Sequence, residues 1–126
     1  MKIRLFICTL ALAVFSAVAS SAERVAVFSG KGGTTTAEFE VQAPWILDWR
    51  VNSEYQNAMA IEVHLVDGLT GFHKGLVVET RSARNGVRLF NQSGRYRFRI
   101  SATLANWNLK VEELTREEAK LYTPRQ

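Results

Sequence analysis

The stretch GRYRFRISATLANWNLKVEEL, residues 94–114, decides the fold. Tyr96, Phe98 and Ile100 alternate with Arg95, Arg97 and Arg99, and Trp107, Leu109 and Val111 alternate with Asn108, Lys110 and Glu112. In an extended chain every second side chain lies on the same side, so each half of the stretch has one apolar and one polar face. Antiparallel sheets with one buried and one wet face produce this pattern. The same reading extends upstream. Ala37, Phe39 and Val41 share a face against Glu38 and Glu40; Trp45, Leu47, Trp49 and Val51 share one after Pro44; Ile61, Val63 and Leu65 point inward with Glu62 and His64 outward. Arg24–Phe28, Leu76–Thr80 and Val87–Phe90 are shorter apolar runs beside Gly30, Gly75 and Gly86. About eight short strands separated by turn residues predict an all-β, antiparallel β-sandwich or jelly roll. Long helical periodicity is missing, which argues against a βαβ enzyme fold.

The ends are read separately. Residues 1–22 have the three parts of a secretory signal peptide: a basic start with Lys2 and Arg4, an apolar run from Leu5 to Val18, and small residues up to Ala22. Cleavage is expected after Ala22, with Ala19 as the alternative, and an uncleaved N-terminal anchor is the competing reading of the segment. Its apolar core is shorter than the roughly 20 residues of a membrane-spanning helix, so no transmembrane segment is expected after signal removal. Residues 23–113 form the predicted sandwich domain, and residues 114–126 a short C-terminal helix and tail. There Thr115 and Glu118 have capping-box spacing and Pro124 ends the helix.

Loss of the leader changes the charge and cysteine arithmetic. Without Lys2 and Arg4 the 16 Lys and Arg fall to 14 against 12 Asp and Glu, a net charge of +2 instead of +4. Bulk charge then gives little support to nucleic-acid binding, and no specific nucleic acid is expected as a partner. The single cysteine, Cys8, leaves with the leader. A cysteine-free domain has no disulfide and no thiolate nucleophile, and must hold together by packing.

The familiar chemical motifs fail on mechanism. In Gly30–Thr36 the lysine, Lys31, precedes Gly32 and Gly33 and no helix follows, so the run is a turn and not a phosphate cradle. Glu62 and His64 share a face with Asp67 nearby, but no ligand cluster of metal-site density is present, and neither metal nor cofactor is expected. Ser29, His64 and Asp67 make a triad only on paper, without a nucleophile elbow. Glu38 with Glu40, and Glu112 with Glu113, read as solvated strand positions, not as carboxylates flanking a cleft. The expectation is a protein without catalytic residues.

Charge segregation is the strongest anomaly. Between Glu79 and Glu112 there is no acidic residue, while Arg81, Arg84, Arg88, Arg95, Arg97, Arg99 and Lys110 all fall there. Arginine suits bidentate recognition of carboxylate or phosphate. Arg88, Arg95, Arg97 and Arg99 are therefore the candidate anion- or partner-binding face. The structural alternative pairs these arginines with Glu38, Glu40 or Glu112 across strands. Trp45, Trp49 and Trp107 read as core residues first and as a sugar-stacking platform second.

The F-S-G-x-G opening, the F-x-V before P-W-x-L-x-W, and G-R-Y-R-F-R-I followed by N-W-x-L-K-V form one chain-wide pattern. Its residues are Phe28, Gly30, Phe39, Val41, Trp45, Trp49, Gly94, Tyr96, Phe98, Ile100, Trp107 and Val111. It resembles small secreted bacterial β-sandwich domains of the pre-peptidase C-terminal type and their relatives. The resemblance implies a noncatalytic accessory or binding domain. The functional expectation is a periplasmic or secreted binding module for an anionic envelope polymer, a glycan or a protein partner. The alternative is a small exported inhibitor or immunity-type protein that occludes another protein.

Overall fold

The computed structural model describes residues 23–122. Nine strands follow in order: β1 Glu23–Lys31, β2 Thr34–Thr35, β3 Phe39–Val41, β4 Trp45–Asn52, β5 Ala60–Asp67, β6 His73–Thr80, β7 Arg84–Phe90, β8 Gly94–Thr103 and β9 Asn106–Glu113. They form two antiparallel sheets. The first has the order β1-β9-β4-β7; in the second β8 carries both β2 and β3 on one side and leads through β5 to β6 on the other. Every connection crosses between sheets except the short β2–β3 link and the β5–β6 hairpin. With β2 and β3 counted as one interrupted strand, this is the eight-stranded jelly roll.

The predicted alternation sets the core. Trp45, Leu47, Val63, Phe98, Leu109 and Val111 are essentially inaccessible and face one another between the sheets. Phe39 stacks on Phe98 at 5.0 Å within the second sheet and Trp45 on Phe90 at 4.1 Å within the first, and Phe39 meets Trp45 edge-on at 6.0 Å across the sandwich. Such pairs add about 0.5–1.5 kcal/mol beyond the area they bury. Most residues that carry the resemblance, including Phe39, Trp45, Tyr96 and Trp107, lie in this core.

Three details depart from the sequence reading. β1 continues through Ser29 and Gly30 to Lys31, because Gly30 lies beside the Trp107 ring, where an added Cβ would meet the ring at 3.0 Å. Ala37 is exposed: Thr36 interrupts the strand, accepting the Phe98 amide on its Oγ1 at 3.0 Å in place of a backbone carbonyl. Trp49 keeps the inward direction but is only half-buried, because it lies over Gly86 on the edge strand β7.

The C-terminal helix is present as α1, Arg116–Ala119, continued by a 3-10 turn over Lys120–Tyr122. Thr115 Oγ1 accepts the Glu118 amide at 3.1 Å and the Glu118 carboxylate accepts the Thr115 amide at 2.8 Å, completing the capping box. Among the described residues no helix is long and apolar enough to cross a membrane. The proposed leader, and Pro124 at the far end, lie outside the described residues.

Candidate functional site

The four predicted arginines do not form one face. Arg95, Arg97 and Arg99 lie on the outer face of the second sheet, whereas Arg88 belongs to β7 of the first. Arg88 pairs in register with the inward-facing Leu47, so its side chain turns toward the opposite sheet. Its Nη1 donates to the carbonyls of Leu76 at 3.0 Å and Val77 at 3.4 Å, and its guanidinium lies 5.5 Å from the centre of the Phe90 ring. Arg88 thus ties β7 to β6 across the open edge of the sandwich.

The other three differ in how far they are committed. Arg95 is opposite Glu40 and ion-pairs with it at 3.7 Å on the exposed surface. Arg97 is half-buried and donates to the carbonyls of Gly68 at 3.3 Å and Thr36 at 3.4 Å, bracing two loops. Arg99 is exposed and makes no side-chain hydrogen bond or ion pair among the described residues.

The paper triad does not assemble: Ser29 lies on β1 of the first sheet, His64 and Asp67 on β5 of the second. Asp67 instead shapes the β5–β6 turn. Its Oδ1 accepts the amides of Leu69 and Thr70, each at 2.8 Å. Those two backbone hydrogen bonds hold its carboxyl below the ordinary value. The turn presents Leu69 and Phe72 to solvent, 76% and 72% exposed. On the neighbouring strand, burial first and the Asp67 charge second push the Tyr96 phenol up.

A different surface has the geometry of a binding site. On the outer face of the first sheet the register aligns Lys31, Asn106 and Asn52 in one row and Ser29, Asn108, Arg50 and Asn85 in the next. Asp48 and Lys110 follow in a third row with Val27 and Val87. These rows, apart from Val27, Asn85 and Val87, floor an open groove of about 640 Å3. Asp48 lies 3.8 Å from both Arg50 and Lys110, and Lys110 is also 3.9 Å from Glu112, while Lys31 makes no ion pair among the described residues. The amides of the rows are partly free. Asn106 donates to Asn52 at 3.3 Å, and Asn85 and Asn108 have no side-chain partner among the described residues. A free carboxamide offers two donors and an acceptor with two lone pairs.

At Lys31 and Asn106 the groove meets a second hollow that contains Tyr55, 57% exposed. Buried Ser53 fixes this corner: its hydroxyl donates to the Leu104 carbonyl and accepts the Tyr55 amide at 2.8 Å. Gly32, at φ 72°, turns the chain out of β1 and gives its carbonyl to Trp107 Nε1 at 2.9 Å. That left-handed turn suits glycine. The three tryptophans belong to the packing, Trp107 reaching the groove only at its buried floor, and the exposed aromatic is Tyr55 in the adjoining hollow.

Sequence reasoning missed this surface. Each asparagine reads alone as a solvated strand position, and only the strand order β9-β4-β7 brings them together. Comparison with known protein families gives no match, and no curated protein matches the chain.

Proposed function

We propose that the chain is an exported, noncatalytic binding module of the bacterial envelope or secreted fraction, and that the outer face of the first sheet holds a hydroxyl-rich glycan. The observation that carries this reading is the uncommitted carboxamide of Asn108 beside the Asn52–Asn106 pair in the groove, with Asn85 in the same row and exposed Tyr55 in the adjoining hollow. Sugar hydroxyls both donate and accept, as carboxamides do, and an aromatic face packs on a sugar's apolar side. Export rests on the signal-like pattern of residues 1–22. A noncatalytic role is supported by the pairing of Asp48, the carboxylate of the groove, with Arg50 and Lys110.

Calorimetric titration with purified envelope polysaccharides tests the proposal. Asn52→Ala with Asn108→Ala should weaken glycan binding about tenfold or more while leaving the melt unchanged, since each lost hydrogen bond is worth about 1 kcal/mol. A loss on Arg99→Ala alone would move the site to the second sheet and favour an anionic polymer. A second reading, occlusion of another protein, is favoured by the Asp67-braced turn with exposed Leu69 and Phe72. Capture of a defined envelope protein that fails on Leu69→Ser with Phe72→Ser, with no glycan bound, would support it.

A further inference from the structure

The second sheet carries a cluster that belongs to none of the surfaces described so far. His64 Nδ1 and His73 Nε2 are 2.9 Å apart across the β5–β6 hairpin, and His64 Nε2 is 3.0 Å from Glu62 Oε1. The two rings are 5.0 Å apart and inclined by 54°. These are the only two histidines of the chain. In the sequence His64 has Asp67 as a neighbour; in the fold Asp67 bends its carboxylate into the turn and His73 takes its place.

We propose that His64 and His73 form an open, two-imidazole chelate for a divalent transition-metal ion, with Glu62 as the group that orients His64. Glu62 Oε1 accepts a hydrogen bond from the Nε2–H of His64, which leaves Nδ1 as the nitrogen that faces His73. This is the carboxylate–histidine arrangement that supports metal-bound imidazoles. In the unliganded state the Nε2–H of His73 donates to that nitrogen. Moving this proton to Nδ1 of the same ring, which is exposed, frees both facing nitrogens.

At metal–nitrogen bonds of about 2.0–2.1 Å, two ligands at a right angle are roughly 2.8–3.0 Å apart, and at a tetrahedral angle roughly 3.3–3.4 Å. The two nitrogens now face each other at hydrogen-bond distance, 2.9 Å, and a rotation of each ring turns both lone pairs onto a shared ion. Among the divalent first-row ions Cu(II) binds imidazole most strongly. Among the described residues no three His, Cys, Asp or Glu side chains converge on one point, so water fills the other positions. Around the pair Arg99 stands opposite His64, Arg97 shares a row with His73 and Lys74 follows it, against Glu62 and Glu79, so the surrounding charge works against a cation and the two imidazoles must supply the affinity.

Titration of the untagged protein with Cu(II), followed by calorimetry and electron paramagnetic resonance, tests the chelate. The expected result is one equivalent bound with two imidazole nitrogens in the spectrum. His64→Ala and His73→Ala should each weaken binding about a hundredfold, the advantage a second tethered ligand confers. The double variant should be little worse than either single. Glu62→Gln should weaken it about tenfold. Nitrogen NMR of the unmodified chain gives a check independent of any variant: metal should shift Nδ1 of His64 and Nε2 of His73 together. Unchanged affinity in folded His73→Ala, or a response from only one ring, would overturn the proposal.

Discussion

Gly86 and Trp49 offer a test of the packing that can change sign. A Cβ built on Gly86 would stand 2.4 Å from Cζ2, 2.6 Å from Cε2 and 2.8 Å from Nε1 of Trp49. Comfortable carbon contacts are about 3.5–4.0 Å, so Gly86→Ala must push the indole aside by roughly an ångström. Overpacking of this kind costs about 1–3 kcal/mol. Trp49→Ala alone should cost less than the roughly 3–5 kcal/mol of a fully buried aromatic, because this indole is half-buried. With the ring gone, the clash is gone, and the entropy advantage of alanine in a strand, about 0.5–1 kcal/mol, remains. Gly86→Ala should therefore destabilise the parent and stabilise the Trp49→Ala background. Urea melts of the four proteins should give a coupling energy of about 1–3 kcal/mol, the clash alone, because the entropy gain is common to both backgrounds. In thermal melts each kcal/mol should appear as about 4–8 °C for a domain of this size. Equal effects of Gly86→Ala in both backgrounds would show that the indole does not cover Gly86.

Other outcomes follow from the same geometry. Arg88→Met should cost about 1 kcal/mol, for two carbonyl bonds and the Phe90 contact at a partly exposed site, and Arg88→Lys should not restore it because a lysine lacks the planar fork. Phe98→Ala, at 0% exposure, should cost about 3–5 kcal/mol in denaturant melts, whereas Glu40→Ala, facing Arg95 on the surface, should change stability by less than about 0.5 kcal/mol. Asp67 has a lowered carboxyl pKa, so its contribution to the β5–β6 turn is present above its unfolded value and is lost as pH falls through the folded one. Amide exchange at Leu69 and Thr70 should accelerate in that acid range, and Asp67→Asn should remove the dependence. Tyr96 is shifted upward, so its contribution is present below the ordinary phenol value of 10.0 and is lost as pH rises through the folded one, which alkaline melts can follow.

Period-two alternation made the inward faces of β4, β5, β8 and β9 legible before any coordinates. It works where a strand is interior to its sheet and each residue has one dry and one wet side. It misleads at edges. Arg88 sits on edge strand β7, where an inward arginine can snorkel to the other sheet's carbonyls, so its polarity said nothing about its direction. Glycine misled in the opposite sense: Gly30 reads as a stop, yet β1 runs through it because the Trp107 ring takes the space of a side chain. The sites were less legible than the fold. His73 meets His64 through a hairpin with two register shifts, so sequence distance pointed to Asp67 instead. The groove depends on non-consecutive neighbours, β9 beside β4 and β4 beside β7, and nothing local in Asn52, Asn85 or Asn108 encodes that order.

The groove is the central claim, and side-chain amide NMR reads it most directly. A purified envelope polysaccharide should be titrated into nitrogen-labelled protein while the NH2 signals of Asn52, Asn85, Asn106 and Asn108 are followed. Glycan binding on the first sheet predicts saturable shifts in these four and in Tyr55, with Arg99 and the β5–β6 turn unmoved. Saturable shifts confined to Arg99 and its neighbours, or to Leu69 and Phe72, with the four carboxamides silent, would contradict it.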